Sequence, residues 1–167
     1  NIQGLKQGDQ LNPATTTGPV ARPDLAEGLE KQLASALAAG AQLITGGRRD
    51  GCNFQPTLID QVQPGNVAFD EEIFGPIAAV TSARDEADAI RLANRSKYGL
   101  GGSVWTSDLA RGERLARELE SGAVFVNSLM RSDQRLPFGG IKRSGYGREL
   151  SELGIKEFVN AKTIYIA

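Results

Sequence analysis

Leucines recur every four residues at Leu25, Leu29, Leu33 and Leu37, and they predict an apolar stripe down one face of a helix. Pro23 suits the first turn of that helix and Gly40 suits its C-terminal stop. The pattern then shortens. Residues 41–45 and 55–60 read as strands, separated by the turn chemistry of Gly46-Gly47 and Asp50-Gly51. Ile77-Ala78-Ala79-Val80 is an apolar run with β-branched ends, the signature of a buried strand. Asp85 is placed to cap a helix reaching to about Asn94, with Ala89, Ile90 and Ala93 expected inward.

The alternation continues. Residues 98–102 predict a tight turn and 103–106 a strand. Ser107 or Asp108 caps a helix that buries Leu115, Ala116 and Leu119 and ends at Gly122, and 123–127 is strongly β-like. Strand and helix thus alternate from 22 to 127, which predicts an α/β layer with parallel strands. Beyond Asn127 comes a long loop, then a short helix at about 148–153. The β-branched tail 157–167 has the composition of a strand that needs a partner to cover its edge, so pairing with another subunit is expected.

Composition narrows the chemistry. The 167 residues carry a net charge of −1, with no basic stripe to attract nucleic acid. No apolar run is long enough to span a bilayer, and residues 1–4 lack the charged and apolar regions of a signal peptide. The single cysteine rules out an internal disulfide, and a reducing cytoplasm is the expected compartment. With no histidine at all, neither a serine–histidine triad nor a histidine-based zinc site can be built, and no metal site is expected.

Two segments carry candidate chemistry. In Glu72-Ile73-Phe74-Gly75-Pro76 a carboxylate able to accept from both hydroxyls of a ribose precedes an aromatic ring by two positions. Gly75-Pro76 permits close approach and fixes the turn. The alternative is a solvated glutamate beside a core phenylalanine. In Pro137-Phe138-Gly139-Gly140-Ile141-Lys142-Arg143 the glycines allow close backbone approach, and Phe138 can wall a pocket. Lys142 and Arg143 are free to meet an anion or face water.

Together these segments resemble the aldehyde dehydrogenase family. Glu71-Glu72-Ile73-Phe74-Gly75-Pro76 is similar to its coenzyme motif, and 137–145 to the motif near its C-terminus. The stretches 93–100 and 122–127, Gly40-Ala41 with Gly46-Gly47, and Pro56-Thr57-Leu58 also match, in the correct order and over essentially the whole chain. The resemblance implies an NAD- or NADP-dependent oxidation of an aldehyde to the acid, on the second, Rossmann-like half of a parallel-sheet catalytic domain. Residues 1–150 would be part of that domain, and 151–167 a helix end plus an oligomerisation strand of a homo-oligomer. Glu72 would bind the nicotinamide-side ribose, Phe74 would pack near the nicotinamide, Phe138 would line the aldehyde tunnel, and Asn127 and its loop would lie near the substrate. The loop 128–136, leading into 139–151, resembles that of bacterial succinate-semialdehyde dehydrogenases. A substrate with a terminal carboxylate needs a cation or hydroxyl to receive it, and Arg131, Ser132 and Arg135 are the candidates.

The family works through a cysteine thiolate that forms a thiohemiacetal, passes hydride to the nicotinamide, and releases the acid with a glutamate-activated water. Neither the nucleophile's setting nor the base's occurs in these residues. Cys52 sits in Asp50-Gly51-Cys52-Asn53 with no base beside it and reads as an incidental thiol, so no catalytic residue is expected here. The chain is therefore expected to be the C-terminal part of a longer protein and inactive by itself. The competing expectation is a stand-alone, non-catalytic module that assembles through its terminal strand.

Overall fold

The computed structural model describes residues 2–167, which form two compact units, one reaching to Arg84 and the other starting at Asp85. Each has its own helices and strands.

The first unit is organised by helix α1 (Pro23–Ala38), with the expected proline at its start. Its buried face is Ala26, Leu29, Leu33 and Ala36 rather than four leucines. A strict spacing of four advances about 40° too far at each step, so Leu25 and Leu37 drift to the flanks while the small alanines take the closest approach. Strands β1 (Gln42–Thr45), β4 (Thr57–Asp60) and β5 (Ile77–Ala79) form one sheet in the order β1-β4-β5. β4 and β5 run parallel, as expected, but β1 joins antiparallel, so this sheet is mixed. Between β1 and β4 lies a hairpin of β2 (Arg49–Asp50) and β3 (Asn53–Phe54) around the Asp50-Gly51 turn. Leu29, Leu33, Ala36, Ala41, Phe54, Ile59 and Val62 form the buried cluster. Burying side chains of this kind stabilises by roughly 1.5–3 kcal/mol for each large one. β5 departs from expectation: Ala78, Ala79 and Val80 are exposed, because β5 is the outer strand of its sheet.

Two polar residues are buried where they hold backbone. Thr57 Oγ1 accepts from the Gly47 N–H at 2.8 Å and donates to the Gln55 carbonyl at 2.6 Å. Asn66, 4% exposed, accepts from the Ala68 N–H at 2.9 Å and donates from Nδ2 to the Ala36 carbonyl at 2.9 Å. It thereby caps helix α2 (Val67–Asp70), a single turn that periodicity alone does not reveal, and ties it to the last turn of α1.

In the second unit, α3 (Glu86–Asn94) and α4 (Leu109–Glu118) are capped by Asp85 and Asp108, whose side chains accept from the Asp88 and Arg111 N–H groups. The inward face of α3 is Asp88 and Leu92; Ala89 and Ala93, expected inward, are exposed and Ile90 is half-buried. β7 (Gly101–Val104) and β8 (Ala123–Val126) pair in parallel, with α4 as the crossover between them. α4 lies close on this pair: a Cβ at Gly112 would stand 2.7 Å from Val126 Cγ1. The stretch expected as one tight turn holds instead β6 (Tyr98–Gly99), which pairs with β9 (Ile141–Lys142), and the start of β7. Glu86 receives both Arg111 and Arg114, linking α3 to α4.

The last helix, α5, covers Ser151–Lys156, a few residues later than expected. The expected strand over 157–167 does not form: residues 160–167 have no helix or strand, and Ile164, Tyr165 and Ile166 are 75%, 87% and 88% exposed. A strand exists only through a ladder with a partner, and among the described residues this segment has none.

Candidate functional site

The segment after α2 is held by its backbone. The Glu71 N–H donates to the Val67 carbonyl, and Gln32 Nε2 of α1 donates to the Glu72 carbonyl at 3.3 Å. Ile73 turns inward and packs on the core cluster. Gly75 sits against Leu29, so closely that a Cβ would stand 2.3 Å from Leu29 Cδ1. Pro76 then offers its carbonyl to the Thr57 N–H at 2.8 Å, which leads the chain into β5 beside β4. With Ile73 inside, the residues on either side face out. Glu72 is exposed, and its carboxylate makes no hydrogen bond or ion pair among the described residues. Phe74 is 78% exposed, so it is not the core phenylalanine of the alternative reading. An uncommitted acceptor pair and an open aromatic face thus stand two positions apart on a pinned backbone, as a ribose and a flat heterocycle require.

The second motif works differently. Phe138 is half-buried and exchanges two backbone hydrogen bonds of 2.8 Å with Glu149, closing the loop 139–148. Glycine is required both within this loop and where Gly122 packs against it. A Cβ at Gly140 would lie 2.5 Å from Ser144 Cβ, and one at Gly122 would lie 1.7 Å from the Gly139 carbonyl oxygen. The Ser144 hydroxyl accepts from the Gly99 N–H at 3.0 Å. Lys142, which the sequence leaves free to meet an anion or to face water, is tied to the fold instead: its Nζ donates to the Asn94 carbonyl at 2.7 Å and to the Ser96 carbonyl at 3.2 Å, and pairs with Glu120 at 2.7 Å. Arg148 likewise donates to the Gly140 and Gly147 carbonyls. Arg143 is exposed.

Of the three candidates for a substrate carboxylate, all are exposed. Arg135 is committed. It meets Asp133 through Nε at 3.0 Å and Nη2 at 2.7 Å, and its N–H donates to the same carboxylate at 3.0 Å. These bonds hold the Asp133 carboxyl well below the usual carboxylate range. Arg131 and Ser132 make no side-chain hydrogen bond or ion pair among the described residues. Asn127 is also occupied: with φ of 54°, its side chain accepts from the Thr106 N–H and donates to the Thr106 carbonyl, both at 2.8 Å.

Glu72 and Phe74 therefore share one segment of the first unit, and Arg131, Ser132, Arg135 and Phe138 share one loop of the second. Sequence reasoning passed over Gln32 and Asn66, which hold the Glu72 segment to α1. Asn66 at the start of an apolar turn was the available signal. Cys52 is half-buried on the β2–β3 turn. An open cavity of about 720 Å³ in the first unit is lined by polar residues including Gln7, Asp9, Arg48 and Arg49, and includes neither Glu72 nor Phe74. No group of three or more histidine, cysteine, aspartate or glutamate side chains among the described residues is placed to hold a metal, and no helix is long and apolar enough to cross a membrane.

Comparison with known proteins gives one consistent result. The chain is 46% identical over 160 residues to a succinate-semialdehyde dehydrogenase of Deinococcus radiodurans named for NADP(+), covering 94% of this chain and 34% of that protein. It is 43% identical over 164 residues to the Escherichia coli succinate semialdehyde dehydrogenase Sad, named for NAD(P)+, covering 96% and 36%. A crystal structure of succinic semialdehyde dehydrogenase from Streptococcus pyogenes, in complex with NADP+, superposes with a TM-score of 0.95 at 40% identity, covering 99% of this chain and 37% of that one. The chain thus spans little more than a third of the length of these relatives. The profile of the aldehyde dehydrogenase family matches residues 1–164, and the chain belongs to that family.

Proposed function

We propose that these residues serve, within a longer protein, an aldehyde dehydrogenase that oxidises succinate semialdehyde to the dicarboxylic acid with NAD or NADP through a cysteine thiohemiacetal. The observation that carries this is the pairing of an uncommitted Glu72 carboxylate with an exposed Phe74 ring on a backbone fixed by Gln32, Leu29 and Thr57. Relatives named for this substrate and coenzyme support it.

The residues present fit the coenzyme at one end. Glu72 offers two acceptor oxygens to the two hydroxyls of the nicotinamide-side ribose, and Phe74 offers a ring face to the nicotinamide. When bound, the coenzyme accepts the hydride. The chain's own part is to orient: Glu72 fixes the sugar, Phe74 limits rotation of the ring, and buried Leu29 beneath Gly75 keeps both from receding. Phe138 lines the aldehyde's path, and the loop with Arg131, Ser132 and Arg135 faces its distant carboxylate. The nucleophile and the base come from outside these residues. Residues 1–150 belong to the catalytic domain as its Rossmann-like second half, and 151–167 supply the segment that pairs with another copy. The open apolar tail of Phe158, Val159, Ile164, Tyr165 and Ile166 supports this last role. The working compartment is the cytoplasm.

In the longer protein, Glu72→Gln keeps size but lowers the charge on the acceptor. Single-turnover hydride transfer is expected to slow by roughly tenfold to a hundredfold, as loss of a charge-assisted hydrogen bond implies. The thiol's reactivity toward an alkylating agent stays unchanged. Unaltered hydride transfer and unaltered coenzyme kinetics would refute the role of Glu72. The 167-residue chain alone is expected to oxidise no aldehyde with either coenzyme.

A further inference from the structure

Among the described residues, three glycines lie inside α-helices, and two of them answer to close neighbours. A Cβ at Gly112 of α4 would stand 2.7 Å from Val126 Cγ1 and 3.0 Å from Thr106 Cγ2, and one at Gly154 of α5 would stand 2.8 Å from the Glu149 carbonyl carbon. Gly28 of α1 answers to none. Its backbone is not left-handed, and a Cβ there would meet nothing within 4 Å beyond its own stretch of helix. Yet it stands in the interior of a 16-residue helix, where glycine is less favourable than alanine because it loses more backbone freedom on folding. The rest of α1 is rich in alanine, leucine and glutamate, all strong helix formers. Neither backbone geometry nor packing among the described residues accounts for the missing side chain.

Its place on the helix does. Gln32, one turn further on, donates from Nε2 to the Glu72 carbonyl at 3.3 Å, and Leu29, the next residue, lies beneath Gly75. Residues four apart stack on one flank of a helix, so Gly28 and Gln32 share the flank along which the Glu72–Gly75 segment runs. That segment passes from Gln32 toward Leu29, which brings it to the turn that holds Gly28. The segment carries the open Glu72 carboxylate and the 78% exposed Phe74 ring. We propose that Gly28, which is half-buried, is a coenzyme-seating residue: by carrying no side chain it leaves a shallow notch in which the sugar gripped by Glu72 lies against the backbone of α1. This rests on the functional reading above and adds a wall that neither sequence motif contains. A side chain at this position would stabilise the empty protein and obstruct the filled one. The two effects have opposite signs, and a purely structural role for the position does not produce that pair.

The test uses the full-length enzyme carrying Gly28→Ala or Gly28→Leu, both better helix formers than glycine, with whichever of NAD and NADP the parent prefers. Without coenzyme, the thermal unfolding midpoint of Gly28→Ala is expected at or above the parent's. The dissociation constant and KM of the coenzyme are expected to rise by roughly fivefold to fiftyfold in Gly28→Ala and further in Gly28→Leu, as crowding of a filled contact implies. The KM of the aldehyde stays within about twofold, and ADP, which carries neither the nicotinamide nor its sugar, binds as it does to the parent. Coenzyme constants unmoved in both variants would overturn the proposal. So would an equal loss of ADP binding, which would put the obstruction at the other end of the molecule. A lowered midpoint in Gly28→Ala, or a failure of that variant to fold, would mean that another part of the longer protein fills the notch, and would overturn it as well. If Glu72→Gln alters coenzyme kinetics and the Gly28 variants do not, this inference falls alone; if none of them does, the reading of the Glu72 site falls with it.

Discussion

The segment around Glu72 and the loop from Arg131 to Glu149 look alike in sequence, each setting charged residues beside a phenylalanine and glycines, yet the fold uses their charges in opposite ways. At Glu72 the backbone is held by other residues and the charged side chain is left open. In the later loop Lys142, Arg148 and Arg135 are themselves the fastenings, on carbonyls and on Asp133 and Glu120. The lesson is that a charged residue in a recognisable motif is a candidate for ligand contact only if the fold has given it no partner. Charge and spacing alone do not separate the two cases.

The comparison can be broken experimentally. The largest effect is expected at Gly122, where Gly122→Ala drives a methyl group into the Gly139 carbonyl. Backbone cannot yield as a side-chain tip does, so a loss of about 4 kcal/mol or more is expected, and chemical denaturation of the chain measures it. Lys142→Met comes next. It leaves the carbonyls of Asn94 and Ser96 without their donor, and the expected cost is about 1–3 kcal/mol. Glu72→Gln in the same assay should move stability by no more than about 0.5 kcal/mol, since no partner is lost. A Glu72 variant as destabilised as Lys142→Met would erase the distinction.

The smallest effect concerns pH. The folded-state pKa of Asp133 is depressed, first by the side-chain hydrogen bonds of Arg135 and then by the Arg135 N–H. Whatever this pair contributes is therefore present above the ordinary aspartate pKa and is lost as pH falls through the lower, folded value. Carboxyl-carbon NMR of Asp133 should show a midpoint well below the ordinary aspartate value, returning toward it in Arg135→Gln. An ordinary midpoint in the unmutated chain would mean that the fastening does not form in solution.

Much of the fold is legible in the sequence because caps and periodicity are local. Pro23, Asp85 and Asp108 each begin the helix they predict, and Ala123–Val126 is a strand as its β-branched composition requires. What sequence does not disclose depends on partners far along the chain. Tyr98–Gly99 is a strand only because Ile141–Lys142 returns to it, and β1 is antiparallel only through its register with β4. The inward face of α3 is set by the ion pair of Asp88 with Arg91, which lets a charged residue sit where an apolar one is expected. The same limit governs the site. Glu72 and Phe74 can be picked out from composition, but their exposure follows from Ile73 on the core and Gly75 on Leu29, and the occupation of Lys142 follows from the carbonyls of Asn94 and Ser96.

The open carboxylate of Glu72 is the centre of this account, and a crystal structure of the full-length enzyme with its coenzyme bound tests it most directly. Both Glu72 oxygens are predicted within hydrogen-bond distance of the nicotinamide-side ribose hydroxyls, with Phe74 beside the ring. A Glu72 side chain turned onto a protein partner, with the ribose held by other residues, would contradict it.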